Sequence, residues 1–253
     1  LRRALPSELT KEEMLPMPKL EQWSSPKNRL LASLPVREYE RLLPHFESIS
    51  LVYRDRLQES GVPVKHVYFL NDAIVALLSV VERNATIEVG IIGNEGMVGA
   101  PLLLGSQTTP TQAIVQSPGT AMRLPGEILK QELKRSGSMQ DLLLPYAHAQ
   151  LAEGNQSAAC HRYHTPRERL SRWLLMVRDR SETDELRITH DFISQMLGTR
   201  RATVTEAVHV LQKKGLIKSS RGRISILNRQ GLEATACSCY ATIRAQFAAL
   251  KYA

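Results

Sequence analysis

The sequence predicts an α+β chain in two domains: an N-terminal antiparallel β-roll of the jelly-roll kind and a C-terminal helix-turn-helix with a β-hairpin wing, joined by one long helix. Three stretches carry that prediction. Across residues 49–124, short apolar runs (SISLVY, VKHVYFL, IVALLSVV, IEVGII, AIVQ and GTAMRL) are separated by turn clusters at Gly61-Val-Pro63, Asn71-Asp72, Arg83-Asn84 and Ser117-Pro-Gly119, the rhythm of a small all-β domain. Across residues 138–161, Gln140, Leu144, Ala147, Leu151, Gly154, Ala158 and His161 alternate spacings of four and three, the heptad period with which one helix packs against a twin. Across residues 186–226, LRITHDFISQMLGTRRATVTEAVHVLQKKGLIKSSRGRISI spells helix, tight turn, helix and hairpin in succession.

Length and composition bound the function classes. At 253 residues the chain can bury a core in each of two domains. Lys and Arg number 33 against 25 Asp and Glu, a formal charge of +8 with a pI near 9.6, which favours a polyanionic partner such as nucleic acid. The longest apolar run, about residues 73–81, falls far short of the roughly 18 residues that a membrane span needs. No secretory signal follows the opening arginines, so a cytoplasmic location and no membrane partner are expected. Cys160, Cys237 and Cys239 make neither an even disulfide framework nor a C-x-x-C pair, as suits a reducing compartment. Adjacent Cys160 and His161 would project about 100° apart on a helix, and Cys237-Ser-Cys239 is too short a spacing for a usual zinc pair, so no metal site and no cofactor are expected. His66, Glu88 and Glu95 are scattered through the roll without converging as acid, base and nucleophile, and an enzyme is not expected.

Taken in order, residues 1–27 hold four prolines and mixed charges without a sustained period, and are expected to form a loosely ordered leader. Residues 28–137 form the roll domain, entered through two short helical pieces built on Leu30, Leu31, Leu34, Leu42 and Leu43, with Pro35 at the first turn of the second. A helical stretch starting at Pro125 should break near Ser136-Gly137. The long helix and its connection occupy residues 138–164, with a kink expected at Pro145, and the helix-turn-helix domain occupies residues 165–253. Thr165-Pro-Arg-Glu168 has the form of a capping box with proline at the first helical position, starting a helix that carries Leu170, Trp173, Leu174 and Val177 on one face. The break before it is the expected hinge. After the wing, Asn228 is placed to cap one final helix.

Within the helix-turn-helix, Thr189 is placed to cap the first helix with Asp191 in its first turn, Ile193, Met196 and Leu197 face the core, and Gly198 ends it. Thr199 is placed to cap the second helix, whose Val204, Val208 and Leu211 share one face until Gly215. The opposite face presents Arg200, Arg201, Thr203, Glu206 and His209, hydrogen-bonding side chains turned outward as a major-groove helix requires. Arg221 and Arg223 flank the turn of a basic wing.

The segment ITHDFISQMLGTRRATVTEAVHVLQKKGLI resembles the winged helix-turn-helix of the Crp/Fnr superfamily of bacterial transcription regulators. The roll is similar to that family's effector domain, an eight-stranded roll like cyclic-nucleotide-binding domains, and the likeness runs from about residue 28 to the end of the wing. It implies a sensor role for the roll and a homodimer paired through Leu144, Ala147, Leu151, Gly154, Ala158 and His161. It further implies an inverted-repeat operator in double-stranded DNA, and RNA polymerase as a second partner. The DNA-facing set is then Thr189, Thr199, Arg200, Arg201, Thr203, Glu206, His209, Arg221 and Arg223, with Arg201 suited to guanine, Glu206 to cytosine, and Thr199, Arg200, Thr203, Arg221 and Arg223 to phosphates. The sequence departs from the family in two places. Members carry a glutamate directly after the arginine that aligns with Arg201, where this chain has Ala202. In cyclic-AMP-binding members a glutamate follows the loop glycine and an Arg-Ser or Arg-Thr pair neutralises the phosphate a dozen residues later; here Met97 follows Gly96, and the later stretch reads Thr108-Thr-Pro-Thr-Gln112. A phosphate buried there without a cation would cost roughly several kcal/mol, so Gly96 and Gly99 are read as turn formers and cyclic AMP is not an expected ligand. The alternative is a small-molecule sensor or interaction module whose helix pair does not read DNA.

Overall fold

The computed structural model describes residues 26–82, 85–135, 137–181, 183–250 and 252; residues 1–25 of the expected leader, the Arg83-Asn84 turn and Ser136 lie outside them. Two short helices, α1 (Arg29–Ala32) and α2 (Val36–Leu42), lead into the roll. Buried Asn28 sets the entry: its Oδ1 accepts from the Leu31 amide at 3.2 Å, while its Nδ2 donates to the carbonyls of Leu70 and Gly96, each at 2.8 Å. One amide therefore both caps α1 and ties it to the roll. Pro35 stands one place earlier than expected, as the N-cap of α2.

The roll contains β1 (Glu47–Leu51), β2 (Arg56–Gln58), β3 (His66–Leu70), β4 (Ile74–Glu82), β5 (Ala85–Ile92), β6 (Met97–Val98), β7 (Thr111–Ser117) and β8 (Gly119–Pro125). They form two antiparallel four-stranded sheets, in the orders β1-β8-β3-β6 and β2-β7-β4-β5. The turns carry their own bonds: Asp72 Oδ1 accepts from the amide and hydroxyl of Thr120, at 2.6 and 3.0 Å, joining the β3–β4 turn to the start of β8.

Strand β4 decides how the two domains meet. Its first five residues are all buried, the pattern of a strand covered on both faces. Because successive side chains alternate, Val75 and Leu77 point into the roll, with Ile92, Ala113 and Val115. Ile74, Ala76 and Leu78 point outward and join one apolar cluster with Leu170, Trp173, Leu174, Phe192, Ile193 and Leu211 of the C-terminal domain. The run IVALL thus belongs to two cores at once.

From the roll the chain passes through α3 (Gly126–Leu133) into α4 (Ser138–Tyr163), which is one helix despite Pro145 in its interior. Tyr146 anchors α4 to the roll: its hydroxyl donates to the Met97 carbonyl at 2.9 Å and accepts from the Met97 amide at 3.0 Å. A Cβ on Gly96 would overlap that hydroxyl, so Gly96 serves close approach of the helix to the loop, whereas Gly99, at φ 105°, is the turn former the sequence suggested. The chain breaks at His164, and the capping box then starts α5 (Pro166–Asp179), with Thr165 and Glu168 each bonding the other's backbone amide.

The C-terminal domain continues through β9 (Glu185–Leu186), α6 (His190–Met196), α7 (Arg201–Lys213), β10 (Ile217–Ser220) and β11 (Arg223–Ile226). The wing is a three-stranded sheet in the order β10-β11-β9, with the two-residue β9 added to the hairpin the sequence predicts. Asn228 does cap a helix, its Oδ1 accepting from the Gly231 amide at 2.8 Å, but the single final helix expected is two, α8 (Arg229–Thr235) and α9 (Cys239–Ala248). The break comes at extended Ala236, and α9 turns back to pack along α4. Among the described residues no helix is long and apolar enough to cross a membrane.

A buried polar layer lies where α4 and α5 meet the roll. Trp173 Nε1 donates to Glu88 Oε1 at 2.8 Å, the Ile91 amide donates to Glu153 Oε1 at 3.2 Å, and Arg180 pairs with Glu95 at 2.6 Å. Burial is the main force on both Glu88 and Glu153, pushing their carboxyls up to about 8 and about 7. Glu88 Oε2 has no partner among the described residues, as a protonated carboxyl tolerates better than a carboxylate. The folded protein therefore holds protons that the unfolded chain, with carboxyls near 4.5, has already released. Stability is expected to fall as pH rises from about 4.5 through about 8, and Glu88→Gln should flatten that slope. Chemical denaturation at a series of pH values checks it; an unchanged slope in Glu88→Gln would assign the proton elsewhere.

Candidate nucleic-acid interface

Helices α6 and α7 are built by the local signals that the sequence carries. Thr189 caps α6, its hydroxyl accepting from the Phe192 amide at 3.2 Å, with Asp191 in the first turn. Gly198, at φ 55°, makes the tight turn, and a side chain there would meet Ile87 of the roll. The N-cap of α7 is Arg200, without a side-chain cap, rather than Thr199. The Thr199 amide instead donates to the Ser194 carbonyl at 3.0 Å, which closes the end of α6. Val204, Val208 and Leu211 are buried as expected, with Ala207 beside them.

The other face of α7 is open. Arg200, Arg201, Glu206 and His209 are exposed and Thr203 is half-buried. Thr189 is exposed at the mouth of the α6 cap, and Arg221 and Arg223 are exposed on either side of Gly222, which makes the wing turn at φ 74°. Residues 186–226 hold eight Lys and Arg against two Asp and Glu, so most of the net charge of the chain sits on this module. Two ion pairs temper the basic face without burying it. Arg201 lies 3.4 Å from Asp191, both about two-thirds exposed, and Arg223 lies 3.4 Å from Glu185 on the neighbouring strand. Such exposed pairs are worth little and exchange readily for a phosphate or a base edge. His190, omitted from the expected set, bonds Thr205 through Nδ1 at 3.1 Å, and partial burial, with Arg201 nearby, lowers its affinity for a proton. It stands close enough to Arg201 to feel its charge, but its sequence signal was only that of a first-turn residue.

The roll meets this module through α6. Gln195 Nε2 donates to Thr86 Oγ1 at 3.1 Å, and the rings of Phe192 and Tyr53 lie 5.9 Å apart. The arrangement leaves the polar face of α7 and the wing turn exposed.

The expected dimer seam divides. Leu144, Leu151 and Ala158 are exposed on α4. Ala147, Gly154 and His161 turn toward the roll of their own chain: Ala147 is buried, Gly154 approaches the Val89 carbonyl, and His161 Nε2 lies 3.1 Å from the Glu88 carbonyl. The physical reason is that one helix must bury a stripe of its own against the roll, and that stripe takes half of the heptad positions. Burial pushes His161 down to about 4, so it sits there neutral. Between α4 and the roll lies a cavity of 210 Å³ whose walls include Gln58, Leu77, Thr111, Gln150 and Gly154, with neither Lys nor Arg among them.

An eight-stranded roll, a long connecting helix and a winged helix-turn-helix with an open basic face define a DNA-binding transcription regulator. Residues 168–235 match the Crp-like helix-turn-helix domain, which supports a transcription regulator of the Crp/Fnr type. It is similar to the global nitrogen regulator of Nostoc sp. strain PCC 7120, 25% identical over 175 residues that cover 66% of this chain and 78% of that protein. The corresponding regulator of Synechococcus elongatus is 24% identical over 177 residues, 66% of this chain and 80% of its own. Among solved structures, FixK2 from Bradyrhizobium japonicum superposes with a TM-score of 0.66 at 16% identity, over 76% of this chain and 98% of that one. A Crp/Fnr-family regulator from Thermus thermophilus does so with a TM-score of 0.56 at 23% identity, over 75% and 98%.

Loss of the α6 cap is the sharpest local test of this geometry. Thr189→Ala should cost about 1 kcal/mol of domain stability, the typical worth of an N-cap hydroxyl. Urea denaturation measures it, and a variant as stable as the parent would show that the Thr189 hydroxyl does not hold the helix end.

Proposed function

We propose that the protein is a cytoplasmic, homodimeric transcription regulator that reads an inverted repeat in double-stranded DNA through α7 and works with RNA polymerase. The observation that carries this reading is the open basic face of α7 beside the wing, exposed to solvent along its polar side. Arg201, exposed in the first turn of α7, is the base reader for guanine, and Glu206 accepts from cytosine further along the same face. Thr189, Thr199, Arg200, Thr203 and His209 border the base readers, and Arg221 and Arg223 hold the backbone from the wing. Half-sites then lie about one helical turn apart, ~34 Å centre to centre.

Arg201→Ala should weaken binding to the selected site by about 1–3 kcal/mol and relax preference at one base pair per half-site. Arg221→Ala should weaken all sequences alike and flatten the dependence of affinity on salt. Selection from a random-sequence library, followed by titration at two salt concentrations, reads both effects. An unchanged consensus for Arg201→Ala would remove that residue from the base-reading role.

The exposed Leu144, Leu151 and Ala158 support pairing through α4, since they follow the heptad period and lie open in the single chain. Leu151→Glu, at a position 59% exposed in the single chain, should leave the fold intact and yield monomers at micromolar concentration. Sedimentation decides between this and a dimer unaffected by the change, which would place the interface elsewhere. The cavity between α4 and the roll supports a sensor that does not take cyclic AMP, because its walls offer no cation to a buried phosphate.

A further inference from the structure

Cys160 and His164 lie four residues apart at the end of α4, so both point from one side of its last turn. Cys237 lies in the short link between α8 and α9, and Cys239 is the first residue of α9. The fold brings these two separate pairs together. Cys160 Sγ is 3.5 Å from Cys237 Sγ, Cys239 Sγ is 3.5 Å from His164 Nδ1, and all four potential ligand atoms lie within 4.8 Å of one another. The two pairs, each too few alone for a metal shell, together offer four potential ligand atoms.

We propose that Cys160, His164, Cys237 and Cys239 form a tetrahedral site for a thiophilic divalent cation of the zinc class, which clasps the last turn of α4 to the C-terminal helices. The donor set is Cys₃His, one of the sets found in closed structural zinc sites. Metal–sulfur bonds of about 2.3 Å and metal–nitrogen bonds of about 2.0 Å place ligand atoms roughly 3.5–3.8 Å apart around a tetrahedron. Two of the pairs already stand at that separation, and the others, within 4.8 Å, need at most a modest contraction. A polynuclear iron–sulfur cluster holds its sulfur ligands much further apart and does not fit between these four atoms.

The surroundings suit the same occupant. The three cysteines are all buried and free, and they form a cluster of their own. Gln156 Nε2 donates to Cys239 Sγ at 3.0 Å, the outer-shell bond that orients a thiolate ligand. Three thiolates around a divalent cation carry one net negative charge, which is costly to bury alone. Arg169 and Arg172 are themselves buried, their charges act on Cys160 and Cys237, and the Nε atom of each has no partner among the described residues. A surface groove bordered by Cys237, Ser238 and Glu233 gives a path for the ion. The site sits on the break between α4 and α5, so a bound ion fixes the reading head relative to the long helix; this consequence alone rests on the regulator reading.

The test uses the full chain, reduced and stripped with a chelator, then titrated with Co²⁺ as an optical probe and back-titrated with Zn²⁺. One cobalt per chain should give the thiolate charge-transfer band and the intense visible bands of tetrahedral cobalt, and zinc should displace it. Cys239→Ser and His164→Gln should each weaken binding by at least roughly tenfold, since loss of a ligand should cost no less than loss of an outer-shell partner. Reduced wild-type protein that shows no thiolate band, or cobalt bound equally well by both variants, would overturn the site. A Cys160–Cys237 disulfide that resists reduction in the native protein would overturn it too. None of these readouts uses DNA, so failure of the site and failure of the regulator reading are told apart.

Discussion

The structure depends on the burial of both faces of β4. A strand in the wall of a roll ordinarily turns one face to its own core and the other to solvent or a helix. Here the outward residues Ile74, Ala76 and Leu78 take Trp173 and the neighbouring side chains of α5 and α6 as their cover. Apolar burial is non-directional, so it would not by itself fix how the two domains sit. The polar layer around it does: the Trp173–Glu88 bond, the Glu153 contact with β5 and the Arg180–Glu95 pair each have one register in which they are satisfied. Roll, long helix and helix-turn-helix domain are thereby held as one packed unit, with α6 against the roll and the polar face of α7 outward.

That arrangement sets how a signal could travel. The cavity beside Gly154 and the buried Glu153 lie on the same stretch of α4, and Glu153 bonds β5, whose Glu88 holds Trp173 of α5. A ligand that shifts α4 against the roll would disturb these bonds before it reached the head. At the far end of α4, the Cys₃His cluster joins the same helix to α8 and α9. The head is thus tied to the long helix by burial, and the proposed Cys₃His site would add a second tie by coordination.

What was legible in the sequence is what local chemistry controls. The capping box at Thr165 and Glu168, the Thr189 cap and the left-handed glycines at 198, 215 and 222 need only their neighbours, and they stand where the sequence placed them. The run IVALL was visible as an apolar stretch of the roll, although its second partner was not. The two-residue strands β6 and β9 exist only because β3 and β11 pair with them, so no local pattern announced them. The break between α8 and α9 carries neither glycine nor proline, and it went unread for that reason. The heptad on α4 was real as a period but ambiguous as a surface, because one stripe packs on the roll and another stays open. The cysteines could be read only pair by pair, since the contact between residues 160 and 237 belongs to tertiary structure alone.

We propose that α7 lies in the major groove of DNA, presented by a two-fold pair of chains. Methylation interference at guanine N7 on a selected duplex tests it most directly, because that atom lies in the major groove where Arg201 is placed to bind. Two clusters of interfering guanines are expected on one face of the duplex, about one helical turn apart, with the cluster signal weakened in Arg201→Ala. Binding that is indifferent to N7 methylation, or a single cluster without its symmetry mate, would contradict it.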